Sequence, residues 1–143
     1  MTLRQLVTFD STLPYDGIED ETGFIQWPGK TVAEELAEIL RRLGYTRIAF
    51  DTLDEAGYEV SFTAGKLNLA ARVTEIDTYT VSFYQYSFFD NLRKKPRQEY
   101  VDVLRRINDE LNRDVRFSQI RWFADDKELF GSGFEGAPSP VEA

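Results

Sequence analysis

Three groups of carboxylates are the residues in this chain most able to do chemistry: Asp16, Glu19, Asp20 and Glu21; Asp51, Asp54 and Glu55; and Asp125, Asp126 and Glu128. Paired carboxylates can serve as general acid and base, or hold Mg²⁺ or Ca²⁺. Among 143 residues there is no histidine and no cysteine. That removes Ser-His-Asp and Cys-His nucleophilic chemistry, ordinary zinc sites and disulfides. An enzyme built from this chain would have to work with carboxylates, Lys, Tyr, Ser or Thr. None of the three groups has the alternating spacing and central glycine of an EF-hand loop, and all fall in segments read as loops. They read as solvated loop charge and as contacts for a basic partner, so no catalytic residue, metal ligand or cofactor is assigned.

Two further patterns bear on nucleotides. Tyr84, Tyr86, Phe88 and Phe89 run into Arg93, Lys94, Lys95 and Arg97, and aromatics beside cations can stack on bases and hold phosphates. Against this, seventeen basic and twenty-five acidic side chains leave a net charge of −8, a field that repels phosphate backbones and anionic headgroups. The run reads as a solvated stretch ahead of a helix. Gly131-Ser132-Gly133-Phe134-Glu135-Gly136 has the spacing G-x-G-x-x-G, but it follows no strand-to-helix context and reads as accidental. No apolar run approaches the roughly 18–20 residues that span a bilayer. Neither a nucleic acid nor a membrane is expected as a partner, and the start Met1-Thr2-Leu3-Arg4 suggests no leader, which makes the cytoplasm the expected location.

The elements that must position any site are clearest from Tyr58 to Tyr86. Tyr58, Val60 and Phe62 alternate with Glu59, Ser61 and Thr63; after a turn at Ala64-Gly65, Leu67, Leu69, Ala71 and Val73 alternate with polar or small residues; after Asp77, so do Tyr79, Val81 and Phe83. Sustained period-two alternation predicts a three-strand antiparallel meander with one buried and one wetter face. The wetter face would carry Glu59, Ser61, Thr63, Asn68, Arg72, Thr80, Ser82, Tyr84 and Tyr86. Tyrosine there supplies rigid amphipathic contact area, so Tyr84, Tyr86, Arg72 and Glu59, with the acidic Asp51, Asp54 and Glu55, are the candidate partner-binding residues.

Two helices are expected to cover the sheet. Thr31-Val32-Ala33-Glu34 has the form of a capping box, and Val32, Leu36, Ile39, Leu40 and Leu43 recur at helical spacing before Gly44 supplies a left-handed cap. Tyr100, Val103, Leu104, Ile107 and Leu111 do the same in a second helix, with Pro96 in its first turn. Tyr45 to Asp51 reads as a short strand between the first helix and the meander. Leu3 to Phe9 reads as a short peripheral strand, Asp10 to Gly29 as a long irregular acidic arm whose apolar residues partly pack down, and Val115 to Phe123 as a buried or bulged strand. Asp125-Asp126-Lys127 reads as a turn, and Glu128 to Phe130 as a brief edge strand. The expected fold is α+β: an antiparallel sheet, meander plus flanking strands, packed on one face by two amphipathic helices. It would form one domain over residues 1–130, with 131–143 as a disordered tail.

By this order of elements over Thr31 to Phe123, its small size and its acidity, the chain resembles the type III secretion chaperones and related small bacterial α+β chaperone-like domains. The resemblance implies a homodimer that binds an extended segment of a client protein along its helix and sheet surfaces. The expected function is that of a non-enzymatic protein-binding module, chaperone-like or immunity-like, that uses an acidic surface and an aromatic-bearing sheet face. Its partner would be another protein, basic in the immunity-like version, with a second copy in the chaperone-like one. The competing expectation is a histidine-free enzyme or small-ligand binder, with a pocket between helices and sheet lined by Tyr58, Tyr79, Trp122 and a carboxylate.

Overall fold

In a computed structural model, residues 2–54, 57–76, 78–91, 95–131 and 133–142 are described. Among them the elements run β1 (Thr2–Leu3), β2 (Leu6–Ser11), β3 (Ile18–Asp20), β4 (Gly23–Gln26), α1 (Lys30–Arg42), β5 (Thr46–Leu53), β6 (Gly57–Ala64), β7 (Leu67–Ile76), β8 (Thr78–Gln85), α2 (Phe88–Asn91), α3 (Gln98–Arg113), β9 (Phe117–Phe123), α4 (Asp126–Phe130) and β10 (Val141–Glu142). Six strands form one antiparallel sheet in the order β5-β6-β7-β8-β2-β9. The fold is the expected α+β class.

The meander is β6, β7 and β8. Its first turn places Gly65 at φ 61°, the left-handed geometry a tight hairpin requires and glycine adopts without cost. Tyr58, Val60, Phe62, Leu69, Ala71, Val73, Val81 and Phe83 are all buried on the inner face. The buried stripes of α1 (Val32, Leu36, Ile39, Leu40) and α3 (Tyr100, Val103, Leu104, Ile107, Leu111) join them in one core. Both helices therefore cover the same face, as their apolar spacing requires.

The helix ends differ in how they are made. Gly44, at φ 88°, closes α1: its amide donates to the Arg41 carbonyl and that of Tyr45 to the Leu40 carbonyl, at 3.0 and 3.1 Å. At the other end the capping box does not form. The N-cap is Gly29 at φ 103°, and the Asp16 carboxylate caps from outside, accepting from the Gly29 amide at 2.9 Å, the Thr31 amide at 2.6 Å and the Thr31 hydroxyl at 2.7 Å. Asp16 satisfies the orphan amides from outside the helix, while Glu34 is exposed. α3 begins at Gln98 after an extended Arg97, so Pro96 precedes the helix instead of sitting in its first turn.

Four further segments depart from the sequence reading, and one follows it. β2 is not peripheral: it lies between β8 and β9, and Leu6, Val7, Thr8 and Phe9 are at most 8% exposed. The arm over 10–29 is not wholly irregular, because β3 and β4 form a hairpin. Its Tyr15, Ile18, Phe24 and Ile25 stay exposed, while Trp27 packs against the core. β9 is both buried and bulged, as its apolar residues on two sides suggested: Gln119 takes φ 53° and the register to β2 slips between Thr8 and Asp10. That slip turns Phe117, Ile120 and Trp122 into the one core, whereas Val115 is 93% exposed in the preceding turn. Asp126 to Phe130 is a helical turn capped by the Asp125 carboxylate, not an edge strand. The segment expected as a disordered tail folds back, with Ala137 bridging Trp122 and β10 pairing with β1. Among the described residues no helix is long and apolar enough to cross a membrane.

Candidate functional site

Strand alternation sends every second residue of the sheet to the outer face, away from the helices, and the ladder register sets which of them become neighbours. Asp51, Glu59, Arg72 and Ser82 form one row across β5 to β8. The next row is Ala49, Ser61, Ala70 and Tyr84. Thr46, Thr63 and Asn68 form a third, at whose end the Tyr86 amide donates to the Asn68 carbonyl at 3.0 Å.

The side chains on these rows hold one another. Tyr84 and Tyr86 meet edge to face at 5.6 Å, the Arg72 guanidinium lies 5.2 Å from the Tyr84 ring centre, and Arg72 Nε is 3.7 Å from Glu59 Oε1. Glu59 Oε1 is buried without a hydrogen-bond partner among the described residues. Partial desolvation, with the carboxylates of Glu59 and Asp51, raises the Tyr86 phenol above its ordinary value, against the opposing pull of Ser61 and Arg72. Beside Tyr86 an open depression of about 410 Å³ is lined by Arg47, Ser61, Thr63 and Asn68. Arg47 takes a left-handed backbone, φ 53°, at the bulge in β5. Nothing in Tyr45-Thr46-Arg47-Ile48 announces that bulge.

The other half of the outer face, over β2 and β9, is sealed by the chain itself. Phe134 packs edge to face on Phe123 at 5.7 Å, and Arg4 lies 5.2 Å over the Phe134 ring. Gly136 runs so close that a Cβ there would stand 2.6 Å from Arg121 Cβ. Arg4 Nε donates to Glu128 at 2.9 Å and Arg4 Nη1 to Glu142 at 3.2 Å. Leu6 and Phe123 are thereby buried on a face that would otherwise be wet.

Of the sequence-predicted binding residues, Asp51, Glu59, Arg72, Tyr84 and Tyr86 therefore come together on the other half of this face, which is bare among the described residues. Asp54 lies off the rows, in the turn after β5, and Glu55 falls outside the described residues. In the basic run, Arg97 pairs with Asp90 at 2.9 Å, and Arg93 and Lys94 also fall outside them. The other carboxylate groups hold local structure: Asp16 caps α1, Asp20 accepts from Thr22, Asp125 caps α4 and Glu128 holds Arg4. The aromatics proposed to line an inner pocket are core instead. The Tyr58 hydroxyl donates to the Trp27 carbonyl at 2.6 Å, Trp122 Nε1 donates to Asn108 Oδ1 at 2.8 Å, and Tyr79 stacks on Phe9. The space between α1, α3 and the sheet, lined by residues such as Phe9, Leu36, Val81 and Ile107, amounts to about 10 Å³. Among the described residues no group of three or more carboxylates is placed to hold a metal ion.

Compared with protein-family models, curated proteins and solved structures, the chain matches none of them.

Proposed function

We propose that this chain is a non-enzymatic protein-binding module whose partner docks on the bare half of the outer sheet face, over Asp51, Glu59, Arg72, Tyr84 and Tyr86. One observation carries the reading: the chain uses its own C-terminal segment to seal the β2–β9 half of that face, and among the described residues nothing covers the β5–β8 half. The open half is already ordered, since Tyr84 is held by both Tyr86 and Arg72. Side chains fixed before binding lose little rotamer entropy on docking, and tyrosine and arginine are the side chains that most often dominate interface energy. A void of about 10 Å³ holds at most about one water-sized probe, which supports a surface reading over a small-ligand one.

The net charge of −8 favours a basic partner, steered electrostatically. In the chaperone-like version the occupant is an extended client segment; in the immunity-like version it is a folded basic surface. The test is a photo-crosslinking amino acid placed at Ser61 or Thr80 on the bare face, and at Val115 in the turn before β9 as control. We expect adducts from the face positions in the native cell, lost in a Tyr84→Ser/Tyr86→Ser chain and absent from Val115. Equal adducts at all three positions, or none from the face, would remove the proposal.

A further inference from the structure

The two edges of the sheet are treated differently. The β9 edge is bridged by the chain itself at Trp122, whose amide donates to the Ala137 carbonyl at 2.8 Å and whose carbonyl accepts from the Ala137 amide at 2.9 Å. At the opposite end β5, eight residues long, pairs with β6 alone among the described residues. An open edge of that length exposes a row of unpaired amides and carbonyls, a template for another strand.

We infer that two copies of this chain pair antiparallel through their β5 strands, about a two-fold axis at Ala49. The argument is one of register. Directly opposed residues in an antiparallel pair share a face, so an isologous pair must have its axis through a residue. With the axis at Ala49, Arg47 of each copy stands opposite Asp51 of the other on the outer face, and Ile48 opposite Phe50 on the inner face. Arg47 lines the outer depression and Asp51 is the register partner of Glu59, so both charges lie on the required side. Ile48 and Phe50 are partly buried apolar residues at the margin of the core, with Phe50 stacked on Tyr58, so the pairing would complete their burial. Moving the axis to Asp51 would oppose two carboxylates, and moving it to Phe50 would set Arg47 against Leu53 and Ala49 against Asp51. The Ala49 axis is the one of these three that matches charge with charge and apolar with apolar. The bulge at Arg47 bounds the ladder, leaving Ile48 to Phe50 between two closing Arg47–Asp51 pairs.

The pairing stands independently of what docks on the outer face, although it would join the two bare faces and bring Asp51 of the second copy to the mouth of the Arg47 depression. The chain has no native cysteine, so Ala49→Cys gives a clean probe. Opposed Cα atoms in such a pair lie about 4.5–5.5 Å apart, inside the range of about 4.4–6.8 Å that a disulfide bridges. Mild oxidation of Ala49→Cys is expected to yield a disulfide-linked dimer, and Ser118→Cys, on β9, none. Light scattering on the unmodified chain is expected to show the mass rise from 16.5 kDa to twice that value with concentration. Arg47→Asp or Asp51→Arg alone is expected to abolish the rise, and the two together to restore it, with circular dichroism showing each variant folded. A monomer at every concentration, or a dimer indifferent to both single variants, overturns the inference and leaves Arg47 and Asp51 as guards of an unpaired edge.

Discussion

Asp16 shows how far the decisive partner of a residue can lie from it in the chain. Partial burial pushes its carboxyl up, but the bonds from the Thr31 hydroxyl and from the Thr31 and Gly29 amides outweigh this and hold the group below the ordinary carboxylate range. A carboxyl with a lowered folded pKa adds stability that is complete above the unfolded value, about 3.9, and is lost as the pH falls through the folded value. Asp16→Ala is therefore expected to cost about 1–2 kcal/mol near neutral pH, measured by urea unfolding, and the gap to wild type to narrow as the pH is lowered from about 4. A gap that stays constant on acidification would mean that the charge is not what caps α1. The local signature Thr31-Val32-Ala33-Glu34 was readable and pointed to the right helix, but not to its cap. The same holds on the outer face, where alternation identified Tyr84, Tyr86, Arg72 and Glu59, whereas Arg47 reached the site through a backbone bulge that no residue type requires.

Periodicity identified the elements that are covered on one face. α1, α3 and the meander declare their buried sides, because burial against a single neighbouring layer leaves a pattern of period 3.6 or 2. β2 declares nothing comparable: Leu6, Val7, Thr8 and Phe9 are buried in succession, on the inner face by the helices and on the outer face by the C-terminal segment. That segment, rich in Gly, Ser and Pro, looks like a tail until Arg4 is placed. The Arg4 side chain is 7% exposed and bridges Glu128 and Glu142. Its Arg4→Ala loss leaves two carboxylates that retain water access, so the expected cost is about 1–3 kcal/mol, below that of breaking a fully buried pair. Hydrogen exchange should quicken at the amides of Ala137, Ser139, Val141 and Glu142 and at the bridged Trp122 amide, while the α1 amides keep their protection. Unchanged exchange in the C-terminal segment would assign its hold to Phe134 and strand pairing alone.

At the scale of the whole molecule, β2 ties the ends of the chain to its middle, pairing with β8 on one side and β9 on the other. Neither the N-terminal nor the C-terminal part can leave without opening that sheet, so unfolding is expected as a single cooperative transition. Trp27 and Trp122 lie near opposite ends of the sequence and both touch the core. Tryptophan fluorescence and far-ultraviolet circular dichroism should give coincident curves, and two separated transitions would show that the sheet halves unfold independently. From its sequence alone this chain determined its α+β class, its meander, the buried faces of α1 and α3, the absence of histidine and cysteine chemistry, and the residues on the outer face. Those properties follow from side-chain type and local spacing. The tertiary structure alone decided that β2 is central, that the chain's own C-terminal segment covers half of the outer face and bridges β9 at Trp122, that Asp16 caps α1, and that β5 pairs with β6 alone among the described residues. Each of these depends on contacts between segments far apart in the chain, whose energies are set by which layer covers which, and local spacing carries no record of that.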